Sequence, residues 1–380
     1  MQGPALDVLL AEGGLIRRKG APVKAPRALL TLAWGSSRAA TSLAIASAAW
    51  MLSGLTPSPL LNGLLPAVVS APQLLALPNR PRFGTGLQLL SCLALLAIAA
   101  KLIPLPVVAT LAALLLLATG VQLVDLPVQR LLSGQAGVPM ASLRTGAEAG
   151  RLVGNTLAGV LFPLGKAMLQ FSQTLVLLLP LATLVTWLQP ASPKPGPDPA
   201  TTCTPGSTPS DRLEPAPLLQ GLLFGALFSL IPLWVRQEGA GNCLDFAMVL
   251  TAYGLGRAAA EALQARLRLG SAGDYLFLAA GLTGTQLLPG WGAVLLFAPM
   301  GLVASSSDQR LIQRLGPADD PALRAQRFNR SASLGGLIGS IAMGLCGQVL
   351  GLAGVLPVQV LAFVLAAVLI PRLKPAGHQC

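Results

Sequence analysis

Residues 39–79 read AATSLAIASAAWMLSGLTPSPLLNGLLPAVVSAPQLLALPN, 41 residues between Arg38 and Arg80 without one charged side chain. A helix that crosses a bilayer needs about 20 apolar residues, so the stretch holds two. Thr56-Pro57-Ser58-Pro59 supplies the turn between them. Residues 331–371, between Arg330 and Arg372, have the same layout: 41 uncharged residues with a turn at Gly351 to Pro357.

Working outward, other charge-free gaps run from Arg82 to Lys101, Lys101 to Asp125, Lys166 to Lys194 and Glu214 to Arg236. The stretch from Asp274 to Asp308 is broken by Leu288-Pro289-Gly290. These gaps predict twelve helices, over 28–54, 58–78, 84–103, 105–126, 142–165, 168–188, 217–235, 243–262, 273–287, 290–306, 330–349 and 354–371. Composition agrees: 53% of the 380 residues are hydrophobic, 11% are charged, and mean hydropathy is +0.68. Soluble domains carry about 25% charged residues, so a soluble enzyme is excluded and the bilayer is an expected partner. The net charge of +12 would suggest nucleic acid in a soluble protein. In a membrane protein it marks cytoplasmic loops instead, and no nucleic-acid partner is expected.

An even number of spans puts both termini on one side. With that count, 20 of the 26 basic residues fall on the terminal side, among them Arg17, Arg18, Lys19, Arg266, Arg268 and Arg310. Only Lys101, Lys166 and Arg236 fall opposite, and Arg38, Arg151 and Arg257 fall within spans. Basic loops stay inside, so both termini are expected in the cytoplasm, with the inner (plasma) membrane of a prokaryote as the location.

Segment 189–217 holds nine prolines and has no apolar period, as a linker does. The expected organisation is a basic cytoplasmic tail (1–27), a six-helix bundle (28–188), a Pro-rich cytoplasmic linker (189–216), a second six-helix bundle (217–371) and a cytoplasmic tail (372–380). The halves repeat. Arg80-x-Arg82-x-Gly84 returns as Arg266-x-Arg268-x-Gly270, Gln129-Arg130 as Gln313-Arg314, and Gly150, Gly154 and Gly159 as Gly335, Gly339 and Gly344. Two related bundles can rock about a central site and expose it to each side in turn. Small residues four apart let their helices pack closely.

The sequence resembles the major facilitator superfamily over nearly all of the chain outside the tail and linker. The stretch from Trp34-Gly-Ser-Ser-Arg38 through Leu55-Thr-Pro-Ser-Pro59-Leu-Leu-Asn-Gly63 to Pro72-Gln-Leu-Leu is similar to the first two helices of its drug and siderophore exporter branch. The family's Gly-x-x-x-Asp-Arg-x-Gly-Arg-Arg loop is degenerate here. It reads Leu77-Pro78-Asn79-Arg80-Pro81-Arg82-Phe83-Gly84, with Asn79 in place of Asp and no leading Gly. Arg80 and Arg82 are the remaining gate candidates of that loop. Thr41 stands where relatives of the branch often carry Asp, which implies that a coupling carboxylate is missing there.

Ionisable groups within spans are functional candidates by default. Arg38 can bind an anionic group of a solute, or a counter-ion, because the resemblance puts the first helix against the central cavity. Glu148 and Arg151 are spaced i, i+3, and Arg257 and Glu261 i, i+4, so each pair can neutralise itself on its own helix near the cytoplasmic gate. Asp125 ends the fourth helix and can meet Arg82 or Arg144. Asp245 is the carboxylate with least support. If transport is driven by protons, Asp245, Glu148 and Asp125 are the coupling candidates. Gln170 and Gln173 in the sixth helix, with Thr283 in the ninth, add neutral hydrogen-bonding groups to an otherwise apolar cavity.

The five cysteines, Cys92, Cys203, Cys243, Cys346 and Cys380, are scattered, and the single histidine is His378. No zinc site, disulfide framework, nucleotide-binding loop or catalytic triad can be assembled from them. The expectation is therefore no enzyme, no metal and no cofactor. It is a monomeric secondary transporter that exports a small hydrophobic or amphiphilic solute by alternating access. The alternative is a non-transporting scaffold or assembly factor of the same fold, suggested by the degenerate loop and the missing carboxylate at Thr41.

Overall fold

A computed structural model describes residues 27–373 except 76, 78–79, 136–137, 185–212, 238, 240, 264–269, 289 and 316–320. The expected tails and most of the expected linker lie outside the described residues. Those described form helices and no strand. They are α1 (Arg27–Leu55), α2 (Pro59–Ser70), α3 (Pro81–Ala99), α4 (Pro106–Arg130), α5 (Met140–Leu161), α6 (Lys166–Leu184), α7 (Pro215–Gln237), α8 (Cys243–Leu263), α9 (Ser271–Leu287), α10 (Trp291–Arg314) and α11 (Pro321–Arg372).

Proline opens α2, α3, α4 and α7, at the one position where its missing N–H costs nothing and its fixed φ suits a helix. The α2 start is also capped by Ser58, whose hydroxyl accepts from the Leu61 N–H. The predicted spans fall on these helices with two differences of substance. Helix α10 runs to Arg314 rather than stopping at 306. The eleventh and twelfth predicted spans form one 52-residue element, so eleven helices are described where twelve were expected.

That last element is broken at Gly351, with φ 72° and ψ 168°, a conformation that a side chain disfavours. Its two arms, 321–350 and 352–372, return to the same turn of α7. Gly339 packs on the Leu222 backbone, while the Gln359 amide donates to the Leu223 carbonyl at 2.8 Å. The chain therefore doubles back at Gly351, and hydrogen bonding counts as one helix what the path divides into two antiparallel arms.

The repeated glycines make equivalent contacts in the two halves. A Cβ at Gly150 would overlap the Gly35 carbonyl oxygen, and one at Gly154 that of Ala39, so α5 lies directly on α1. Gly335 and Gly339 press on the carbonyls of Leu218 and Leu222 in the same way, setting α11 on α7. The third glycine of each set crosses between halves. Gly159 meets Ala247, Leu244 and Cys243 of α8, and Gly344 meets Gly63, Leu60 and Pro59 of α2. Each partner in the second half lies 183 or 184 positions after its counterpart in the first.

Four helical segments are long and apolar enough to cross a membrane by length and composition: Pro81–Ala99, Pro106–Ser133, Pro215–Gln237 and Arg324–Arg372. The last arm is apolar on both faces. Phe363, Ala366 and Ile370 are buried, while Leu361, Leu365, Val368 and Leu369 are exposed. Leucines on an outer surface that water would reject are stable in lipid. The chain is an integral membrane protein.

Candidate functional site

The halves enclose a cavity of about 510 Å3, with walls from α1, α2, α4 and α5 on one side and α7 and α8 on the other. A lobe of about 500 Å3 continues it towards α10 and the first arm of α11. Close packing seals the end that holds the α1–α2 turn. There the Arg236 guanidinium lies 4.1 Å over the Trp50 ring, and it donates to the Trp50 carbonyl at 3.1 Å and to Ser53 at 3.2 Å. Trp50 stacks on Phe246 at 5.7 Å between centroids, and Ser58 donates to Gln348 across the halves at 3.2 Å. Lining residues such as Met140 and Ala325 carry the space on towards the end opposite the α1–α2 turn.

Charged side chains from five helices meet along this space. Arg38 of α1 donates to Asp125 of α4 at 2.6 Å and lies 4.2 Å over the Trp34 ring. The Trp34 indole N–H is held by the Leu143 carbonyl at 3.0 Å. On α5, Arg151 donates to Glu148 at 2.7 Å, and Glu148 also accepts from Arg257 of α8 at 3.4 Å, an ion pair between halves. Arg257 further donates to one oxygen of Asp308 on α10 at 3.0 Å. The other Asp308 oxygen accepts from the Gln220 amide of α7. The Gln220 carbonyl in turn accepts from the Tyr275 hydroxyl at 2.5 Å and from Ser307 at 2.9 Å. Three arginines thus face three carboxylates. A buried charge is costly unless paired and hydrogen-bonded, and this chain satisfies that condition through side chains of both halves.

The sequence candidates separate into three groups. Arg38, Asp125, Glu148, Arg151 and Arg257 come together in the network, but two pairings differ from expectation. Asp125 meets Arg38 rather than Arg82 or Arg144, because the close approach of α1 brings Arg38 to the end of α4. Arg257 reaches Glu148 and Asp308 instead of depending on its own helix, and the Glu261 side chain lies outside the described residues. Thr41 lines the cavity, although its hydroxyl is spent on the Ser37 carbonyl one turn back, at 3.0 Å.

The second group is structural. Gln173 is fully buried between α6 and α3, donating to the Cys92 sulfur at 3.1 Å, and does not line the cavity. Asp245 forms a reciprocal cap at the start of α8. It accepts from the Asn242 N–H at 2.7 Å, while the Asn242 side chain accepts from the N–H groups of Leu244 and Asp245. The third group, Arg80 and Arg82, is exposed at the start of α3 and enters no ion pair among the described residues.

Sequence reading missed Asp308, Gln220 and Arg236. The tenth predicted span ends at 306, short of Asp308. Only the continuation of α10 to Arg314 carries it inside the bundle.

No family model matches the sequence, and no curated protein matches it. Among solved structures, the chain is similar to a bacterial homologue of the iron transporter ferroportin in an inward-facing state (TM-score 0.67, 15% identity, 91% of this chain and 98% of that one). It is similar to a bacterial metal transporter (TM-score 0.65, 16% identity, 91% and 97%) and to the nucleoside transporter NupG (TM-score 0.60, 12% identity, 91% and 98%). This chain shares the fold of these transporters. Identities this low carry the fold and not the cargo. The resemblance to the drug and siderophore branch gains nothing from them.

Proposed function

We propose that the protein is a secondary transporter that moves a small amphiphilic solute by alternating access, with two bundles rocking about the central cavity. The observation that carries this reading is the cavity itself, sealed at one end by Arg236, Trp50 and Phe246 and crossed by the Glu148–Arg257 ion pair between halves. A scaffold protein has no use for such a space or for a charge network of this cost. The walls suit an amphiphile, since Ile45, Leu65 and Phe228 alternate with Ser42, Gln73 and Asn155. The likeness to two metal transporters and a nucleoside transporter supports transport in general and no one solute.

In this reading the basic terminal end is cytoplasmic, the cavity communicates with that side, the linker is cytoplasmic, and efflux is the direction of net movement. Glu148 and Asp125 are the candidate coupling carboxylates in this reading, each paired with an arginine. The test is solute flux in proteoliposomes with and without a pH gradient. Uptake that collapses with the gradient is expected. Absence of flux for every solute in a broad panel, together with a stable partner that co-purifies, would leave the scaffold alternative standing instead.

A further inference from the structure

We propose that the cavity binds an amphiphilic organic anion, with a carboxylate or similar acceptor-only head between Arg38 and Arg151 and an apolar body against Phe228, Ile231 and Phe246. This deepens the transporter reading and rests on it only for the fate of the bound molecule. Three observations carry it.

The main cavity is lined by two guanidiniums and one carboxylate, Asp125. Arg38 and Arg151 sit side by side, because Gly150 packs against Gly35 and next to the Arg38 side chain.

Donors are also in surplus on that wall. Each guanidinium has five N–H donors. Arg38 gives Asp125 one contact while its Nε stays buried without a partner, and its side chain is only 11% exposed. Arg151 gives one nitrogen to Glu148, and its side chain is 46% exposed. An ionised carboxylate accepts and never donates, so it complements this wall, whereas an ammonium would add donors and meet two like charges. The acids that would hold a cation are committed: Asp125 to Arg38, Glu148 to Arg151 and Arg257, and Asp308 to Arg257 and Gln220.

The lining that α7 and α8 contribute to the same cavity is aromatic and aliphatic: Phe228, Ile231, Pro232, Phe246 and Leu250. Two arginines set in a cavity whose lining is otherwise largely apolar match a molecule with a charged head and a greasy body.

The experiment measures equilibrium binding of 4-phenylbutyrate, 4-phenylbutylamine and 4-phenylbutanol to the full-length protein in lipid nanodiscs. The three probes share a body and differ in head group. The carboxylate should bind at least about tenfold more tightly than the other two, and Arg151→Gln should remove about tenfold or more of that affinity, as loss of a charge-assisted hydrogen bond does. Arg38→Lys keeps the charge and should retain part of the preference, while Arg38→Gln should lose it. If Arg38→Gln does not fold because Asp125 is stranded, the exposed Arg151 still gives the answer. Equal or tighter binding of the amine or alcohol, no binding of any probe, or an unchanged Arg151→Gln would overturn the anion site. Binding of the carboxylate without flux keeps this site and sinks the transporter reading. Flux of a cationic or neutral solute that ignores Arg151→Gln does the reverse.

Discussion

Asp308 shows what one residue contributes to this protein. It holds Arg257 with one oxygen and Gln220 with the other, so Asp308→Ala leaves the partly buried Arg257 guanidinium with only its longer Glu148 contact at 3.4 Å. Breaking a buried pair from one side costs roughly 3–5 kcal/mol, and a marked fall in melting temperature of the detergent-solubilised protein is expected. Arg257→Ala in the same chain should restore part of the loss, since the coupling between the two sites is then absent. Asp245 gives the opposite case. Its carboxylate caps α8, so Asp245→Ala should cost about 1 kcal/mol and leave the pH dependence of flux intact. A variant that transports but no longer responds to pH would make Asp245 a coupling group and refute the capping account. Arg236 ties α7 to α1 through a ring face and two hydrogen bonds, together about 1–3 kcal/mol. Arg236→Ala should open the sealed end more often, seen as faster thiol labelling of a cysteine placed at Ser53.

At the scale of elements, glycine spacing sets how near the helices lie. A side chain at Gly154 has no room against the Ala39 carbonyl, whereas Gly86 on α3 faces open space. Gly154→Leu should therefore abolish monodisperse expression, and Gly86→Leu should be tolerated, by size-exclusion chromatography of both variants side by side. The repeat of these glycines was legible as letters, because backbone contact admits only the smallest residue and so marks the sequence directly. The helix ends were less legible. Ser305-Ser-Ser-Asp308 has the composition of a cap, yet α10 continues through it because Ser307 and Asp308 find partners in Gln220 and Arg257.

For the whole molecule, alternating access predicts that holding the sealed end shut stops transport. Ser58 and Gln348 lie within hydrogen-bond distance across the halves. Cysteines at both positions, in a chain otherwise free of cysteine and joined by a short cleavable bis-thiol reagent, should arrest flux, and cleavage should restore it. Flux that persists in the fully crosslinked protein would exclude the rocking motion. The cavity in which the solute would sit was only half legible beforehand. Arg38, Glu148, Arg151 and Arg257 stood out because a charge in an apolar run is rare. The i, i+3 pairing of Glu148 with Arg151 was legible too, but the partners of Arg38 and Arg257 were not, because they lie on other helices.

The amino-acid sequence by itself determined the membrane environment, the run of apolar segments and the duplication of the halves, all of which depend on local hydrophobicity and on where small residues recur. Tertiary structure alone decided which charge answers which. A guanidinium removed from water must be neutralised by whatever carboxylate the fold brings within about 3 Å, and that is fixed by helices far apart in the chain. Asp308, 51 positions from Arg257, becomes its partner only once α8 and α10 pack together.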